Sequence, residues 1–407
     1  MHGLTLPLLA FAALLGAGLI AERLAQALHL PDLVLLVLAG IVLGPITHLV
    51  VLAPGGTLAQ AVLTGGALFM LYEGGRELNV GLLRRIWLGA VLLSTGGVLL
   101  TAVAVALAGR FALAMPWREA WLLGAVLAAT DPATVIPLFR QVQVPRRLSQ
   151  LVVCESAFND AIGAVLTFTL LGAGTLLSVD TLGRFAWSAG AGLVIGVAIG
   201  SLSAWLLPGD HGLGLLDTRE HGAVLSLAVV LSAFGIATAA GASGFMAVFA
   251  AGFINRNRHL LHLSLPSDHQ RHHDAYFDQT GVIVRLLIFT VLGTSIDLGL
   301  VARLWAPALV AVAALILVAR PLAVFGALPL DRIARWSWRE MLFTCWVRET
   351  GVVPAALAGL LTAAGAPGAA TITATVLVAI LVTILLQAST TAWWARRLGL
   401  APTDRAA

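Results

Sequence analysis

Ala129-Thr130-Asp131-Pro132-Ala133-Thr134-Val135-Ile136-Pro137-Leu138-Phe139, followed at residues 154–160 by Cys-Glu-Ser-Ala-Phe-Asn-Asp, is the stretch on which the fold turns. Both pieces lie inside apolar runs long enough to cross a bilayer, and both carry carboxylates. Pro132 has no N–H to donate and disfavours helical geometry at Asp131. The helix is therefore expected to open there, exposing carbonyls and half-helix ends suited to ion coordination; a purely structural proline kink is the alternative. In the second piece Glu155, Asn159, Ser156 and Asp160 fall at about 0°, 40°, 100° and 140° on a helical wheel, a single polar face on an apolar helix. A charge at mid-bilayer costs at least ~2.5–3.5 kcal/mol, so this face is expected to line a cavity or an ion path rather than meet lipid.

The rest of the chain agrees with that setting. Of its 407 residues 59% are hydrophobic and only 11% charged, whereas soluble domains carry roughly 25% charged residues. Such a chain has lipid as its solvent. All 24 basic residues are arginine, which removes any mechanism built on a titrating lysine. Cys154 and Cys345 both fall in apolar stretches and read as buried thiols, not a disulfide framework. The N-terminal apolar run lacks a basic flank and reads as a membrane helix rather than a signal peptide. No nucleic-acid patch, Walker loop or dinucleotide fingerprint occurs.

Apolar runs of about 20 residues place spans near 4–28, 32–53, 57–77, 83–108, 118–140, 148–172, 183–207, 219–240, 243–256, 275–294, 299–326, 338–362 and 369–395. The reading is an all-α polytopic membrane protein with about 13 transmembrane helices. Arginines concentrate in alternate loops, among them Arg84, Arg85, Arg146, Arg147, Arg332, Arg335, Arg396 and Arg397, against Arg110, Arg118, Arg184 and Arg303 in the others. The positive-inside rule then puts the N-terminus outside and the C-terminus in the cytoplasm. No regulatory tail is expected after the last helix.

A third polar cluster is Trp346-Val347-Arg348-Glu349-Thr350-Gly351-Val352-Val353-Pro354, where Gly351 and Pro354 predict a second broken helix. Arg320-Pro321, one span earlier, adds a cation that could reach the acidic face of residues 155–160. The order full span, broken span, full span occurs twice, at 83–172 and at 299–395. Paired interrupted helices in corresponding positions of two halves point to a secondary transporter site, and an odd number of helices between the triplets makes the repeats inverted.

The Thr130-Asp131-Pro132 run, the Glu155-Ser156-x-x-Asn159-Asp160 motif, Leu35–Pro45, Tyr72-Glu73-Gly74-Gly75, Arg320-Pro321 and Val352–Leu357 together resemble the monovalent cation/proton antiporters, over essentially the whole chain. Asn-Asp at 159–160 resembles the electroneutral NhaP-like branch. The resemblance implies two crossing unwound helices and a homodimer. It implies a scaffold and dimerisation domain (1–80 and 174–297) against which a core ion-transport domain (82–172 and 299–398) moves. It also implies Asp160 as the ion- and proton-binding carboxylate, Ser156, Asp131 and the Thr130 carbonyl as supporting Na⁺ ligands, Asn159 as their neutral organiser, and a structural pair of Glu155 with Arg320. The chain departs from the family pattern at Glu349, where many relatives have glycine, and at Arg76, where relatives often have an apolar residue. No role transfers to Glu349; Arg348 and Glu349 are candidates for gating.

Hard monovalent cations want oxygen ligands, which carboxylate, hydroxyl and carbonyl supply. A half-buried Asp160 can hold a proton or a cation but not both, and such competition at one site open alternately to each side gives obligate exchange. The expected activity is therefore exchange of Na⁺ or Li⁺ for H⁺, one for one and electroneutral, in the inner (cytoplasmic) membrane. A K⁺/H⁺ antiporter is the nearest alternative, and a cation channel or efflux component a more distant one. No enzymatic activity, no cofactor and no nucleic-acid partner are expected; the partners are monovalent cations, protons, the lipid bilayer and a second copy of the chain. The histidine-rich loop 256–274 reads as a solvated positive-inside loop that could sense pH, and Arg285, within the tenth span, has no assigned role.

Overall fold

The computed structural model describes residues 2–28, 31–50, 52, 56–130, 139, 142–173, 178–207, 218–263 and 267–401. The described residues are helical and contain no strand. In chain order the helices are α1 (His2–Leu28), α2 (Asp32–Ile46), α3 (Thr57–Glu77), α4 (Trp87–Ala112), α5 (Trp117–Ala128), α6 (Arg146–Ala173), α7 (Val179–Leu206), α8 (Thr218–Ala239), α9 (Gly244–Arg256), α10 (Ser267–Thr294), α11 (Leu298–Leu330), α12 (Trp338–Trp346), α13 (Val352–Ala363) and α14 (Ala369–Arg397). In lipid the backbone must satisfy its own hydrogen bonds, so apolar helices are the only spanning form this composition allows.

Seven helices among the described residues are long and apolar enough to cross a membrane, and four shorter apolar helices accompany them. The predicted spans match these elements closely, except that most of the fifth beyond Ala128 lies outside the described residues, the twelfth is broken into α12 and α13, and two others differ at their ends. The second helix stops at Ile46 rather than near 53, because Pro45 closes it in a widened π turn, Val42–Ile46. The tenth begins at Ser267 rather than 275, so residues 267–274 are the first turns of α10 and not loop.

Widened turns recur inside α4 (Leu93–Gly97), α11 (Leu315–Ala319) and α14 (Thr383–Ala388). That in α11 has a local cause: Pro321 cannot donate to the carbonyl of Leu317, so the ladder opens just before Arg320. The turns in α4 and α11 each pack against the other helix, so the two repeats meet at their irregular points.

α1, α2, α3, α7, α8, α9 and α10 pack largely on one another. Their contacts rest on small residues, since apolar side chains gain little from leaving lipid for each other. Gly192, Gly196 and Gly200 line α7 against Ser243, which caps α9, and Ala247 and Ala251 within it, close enough that a Cβ at any of the three glycines would run into backbone. On the other side α4, α5, α6 and α11–α14 form a second group, joined to the first where α3 and α10 meet α13, and α3, α7 and α9 meet α6. α6 is the most enclosed of the long helices, with 72% of its apolar window buried against 22% for α1. The polar face read from residues 155–160 therefore sits in protein, not lipid.

Candidate functional site

α5 ends at Ala128, and its next residue is extended, Ala129 having φ −68° and ψ 149°. Thr130 follows, buried, and its Oγ1 lies 2.6 Å from the Oγ of Ser156 on α6. Asp131 and Pro132 lie outside the described residues. From α6, Asn159 Nδ2 donates to Glu155 Oε1 at 3.3 Å and, at a long 3.5 Å, to Thr130 Oγ1. Glu155, Ser156 and Asn159 are each at most 3% exposed. Asp160, one turn beyond Ser156, is half-buried. Thr130, Ser156 and Asn159 thus form one hydrogen-bonded set, with Asp160 on the same helix face.

Glu155 meets Arg320 from α11 through both carboxylate oxygens. Arg320 Nη2 donates to Glu155 Oε2 at 2.9 Å and Nη1 pairs with Oε1. The guanidinium's remaining Nε donates to the Thr344 carbonyl of α12 at 3.0 Å. Two opposite charges are therefore buried together with their forks filled, the condition under which burial of a charge is tolerated.

The second break is described in full. α12 stops at Trp346, residues 347–351 are not helical, and α13 begins at Val352. Buried backbone groups freed by such a break need partners, and side chains of α14 supply them. Gln387 Nε2 donates to the Trp346 carbonyl at 2.6 Å, and the Thr350 N–H donates to Thr383 Oγ1 at 3.1 Å. Both side chains come from the widened turn of α14, which brings them to bear on the break.

Arg348 ties the two breaks together. Its Nη2 donates to the carbonyls of Leu127 (2.6 Å) and Ala128 (3.2 Å), at the C-terminal end of α5. A cation is favoured there, because the last carbonyls of a helix carry its negative partial charge. Arg348, Glu349 and Thr350 are all at most 3% exposed. Buried polar atoms without a partner are rare. Among the described residues Asn159 Oδ1, Arg348 Nη1, Thr350 Oγ1 and Gln387 Oε1 are such atoms, and each belongs to a break or to the helix beside it.

A cavity of about 660 Å³ opens farther along α6, bounded by Val165 and Phe168 of α6, Leu360 of α13 and, on the other group of helices, Thr64, Trp187 and Phe245. Val165 is about 7.5 Å of helix rise beyond Asp160. Phe168 stacks on Phe245 of α9 at 5.1 Å between centroids, and Phe158 meets Phe249 at 5.2 Å. The seam between the two helix groups is thus aromatic.

Sequence reasoning gave no part to Gln387, Thr383 or the α5 carbonyls. Gln387 was the one legible signal, an amide in an apolar helix; carbonyl partners leave no trace in residue type. A clasp at the start of α6 also leaves no trace in the sequence pattern. Arg147 at the start of α6 grips Glu340 through Nε (2.8 Å) and Nη2 (2.7 Å), and buried Asp331 accepts from Gly89 N and Trp336 Nε1. In the histidine-rich stretch, Arg258 is buried and donates to the Asn255 carbonyl at 3.0 Å, while His259 and His262 are exposed. Arg285 is half-buried on α10.

This arrangement has clear counterparts among known proteins. The family described as sodium/hydrogen exchanger, transmembrane, matches residues 9–397. The chain is 29% identical over 400 residues to Na(+)/H(+) antiporter 1 of Methanocaldococcus jannaschii, covering 94% of this chain and 92% of that one. It is 27% identical over 376 residues to the K(+)/H(+) antiporter NhaP of Alkalimonas amylolytica, covering 90% of this chain and 62% of that one. The structure of the sodium proton antiporter MjNhaP1 from Methanocaldococcus jannaschii at pH 8 superposes with a TM-score of 0.84 at 27% identity, over 97% of this chain and 99% of that one. The match runs through both breaks and every helix that borders them, and the chain is a member of the sodium/hydrogen exchanger family.

Proposed function

We propose that the protein is a secondary antiporter that exchanges Na⁺ or Li⁺ for H⁺, one for one and without net charge movement. The observation that carries this reading is the buried set of Thr130, Ser156 and Asn159 on the helix face of Asp160, in a chain matched to the family from residue 9 to residue 397. Asp160 holds either the proton or the cation. The Ser156 hydroxyl, the Thr130 carbonyl and Asp131 complete an oxygen shell for the cation, and Asn159 fixes the neighbouring groups without adding a charge. Glu155 and Arg320 neutralise one another and keep α6 and α11 in register. Arg348 holds the end of α5 against the second break, so that a movement of one break is transmitted to the other.

In this reading residues 82–172 and 299–398 form the transport core, and residues 1–80 and 174–297 form the scaffold. The aromatic seam between them is the surface along which the core moves for alternating access. The exposed apolar faces of α1, α7 and α8, including Leu19, Ile20, Val194 and Leu231, suit lipid or a second copy of the chain. The protein works as a homodimer in the inner membrane, with its N-terminus outside and its C-terminus in the cytoplasm.

The test is reconstitution of wild type and Asp160→Asn in proteoliposomes, with pH-dye exchange read beside solid-supported-membrane currents in Na⁺, Li⁺ and K⁺. Cation-driven proton movement with negligible steady charge transfer, abolished in the variant, is the expected result. Exchange that survives in the variant would overturn the assignment of Asp160, and steady charge transfer would overturn the stoichiometry. A K⁺/H⁺ activity is the second reading, supported by the similarity to the K(+)/H(+) antiporter of Alkalimonas amylolytica; exchange driven by K⁺ in preference to Na⁺ would establish it.

A further inference from the structure

We propose that Thr383 and Gln387 are positioning residues of the ion site: from α14 they fix the second break, and through Arg348 and the end of α5 they set how firmly Thr130 is held against Ser156, and with it the affinity for the cation. The inference rests on the antiporter reading and extends it to a helix outside the proposed ligand set. The break runs over residues 347–351, and α14 grips it at both ends. At its entry Gln387 Nε2 donates to the Trp346 carbonyl at 2.6 Å, and Trp346 Nε1 donates in turn to Thr390 Oγ1 at 2.8 Å. At its exit the Thr350 N–H donates to Thr383 Oγ1 at 3.1 Å. The Thr383 hydroxyl gives its own proton to the Ala379 carbonyl one turn back, at 2.8 Å, so the oxygen it turns to the break acts as an acceptor. Thr350, Thr383 and Gln387 are each at most 1% exposed, and bulk water does not stand in for either grip.

Arg348 lies between the two grips and reaches the other way, to the carbonyls of Leu127 and Ala128. Ala128 is two residues before Thr130, whose Oγ1 meets Ser156 at 2.6 Å and Asn159 at 3.5 Å. A guanidinium spans two carbonyls only where the backbone that carries it is fixed. Residues 347–351 have no helical ladder to fix them, and α14 takes its place. With one grip lost, Arg348 releases the end of α5 more often, and Thr130 leaves the hydrogen-bonded set more often. A cation then meets the assembled set in only a fraction of molecules, and its apparent dissociation constant rises by the reciprocal of that fraction. One net hydrogen bond corresponds to roughly two- to twelvefold in an equilibrium constant. Because local relaxation absorbs part of it, the expected loss of affinity is about three- to fivefold. A series of contacts carries coupling only if perturbations at its two ends are non-additive.

The experiment measures exchange against Na⁺ and against K⁺ concentration in proteoliposomes at one pH, and in detergent the concentration of each ion that gives half the maximal rise in melting temperature. Thr383→Val and Gln387→Met remove one grip each with little change of volume, so failure of one to fold leaves the other. Both are expected to raise KM by about three- to fivefold with kcat within about twofold, and to raise the half-protecting concentration by the same factor. Thr383→Ser, which keeps the hydroxyl, should restore the wild-type KM. Thr375→Val removes another buried hydroxyl of α14, one that donates to the Thr371 carbonyl of its own helix, and should leave KM unchanged. In an Arg348→Gln background, or Arg348→Lys if that variant does not fold, Thr383→Val should no longer raise KM, because the connection is already cut. A lower melting temperature with unchanged KM and unchanged half-protecting concentration would overturn the proposal and leave Thr383 and Gln387 a purely structural part. So would loss of kcat at constant KM, a Ser variant that behaves like Val, a Thr375→Val variant that raises KM as much, or an undiminished Thr383→Val effect without Arg348. A wild type that neither exchanges nor is protected by Na⁺, Li⁺ or K⁺ would overturn the antiporter reading itself; a wild type that does both, with grip variants that shift neither constant, would overturn only the role of α14.

Discussion

Replace Glu155 with glutamine, and Arg320 keeps its charge in a site where its side chain is 3% exposed. It loses a two-pronged carboxylate and retains one charge-compatible partner, the Thr344 carbonyl at 3.0 Å. Removing one member of a buried ion pair costs about 3–5 kcal/mol, most of it the stranded charge. The surviving carbonyl bond puts the expected value near the lower end, about 3 kcal/mol. At roughly 2–4 °C per kcal/mol, the melting temperature should fall by about 6–12 °C. Intrinsic tryptophan fluorescence in detergent reads it, since the chain has 11 tryptophans. Asn159 exchanges a carboxylate acceptor at 3.3 Å for an amide oxygen and its own amide still reaches Thr130, so Na⁺ should raise the melting temperature of the variant by nearly as much as it does for wild type. Replacing both partners by leucine should recover most of the loss, because apolar substitution of a whole buried pair is often neutral or stabilising. A Glu155→Gln protein with wild-type melting temperature but no Na⁺ protection would refute the reasoning: Glu155 would then be a cation ligand and not half of a structural pair.

Two further expectations follow from single contacts. Arg348→Gln strands the Leu127 and Ala128 carbonyls and should cost about 1.5–3 kcal/mol, with faster amide exchange at residues 129–130 by mass spectrometry; Arg348→Lys should not restore protection, since a point ammonium lacks the fork that spans two carbonyls. Gly196→Leu drives a branched side chain into the Ala247 backbone across the α7–α9 contact, and by overpacking should destabilise the protein by at least about 1–3 kcal/mol; a thermal melt identical to wild type would mean the two helices are not held as described.

The helices were legible because the bilayer removes most alternatives: an apolar run of span length has one structure available to it. The polar face of α6 was legible for the same reason, as four polar residues at 155, 156, 159 and 160 have no cheap place in lipid. The second break was readable from Gly351 and Pro354, and it is observed at residues 347–351. Sequence could not show how that break is held. Its partners are carbonyl oxygens and an N–H, which every residue type carries alike, met by Gln387 and Thr383 from a turn whose widening brings them to the break. Arg348 shows the limit most clearly. Its charge in an apolar run announced a site, but its contacts with Leu127 and Ala128 span 221 and 220 residues, and only the packing of the second break against the end of α5 brings those groups together.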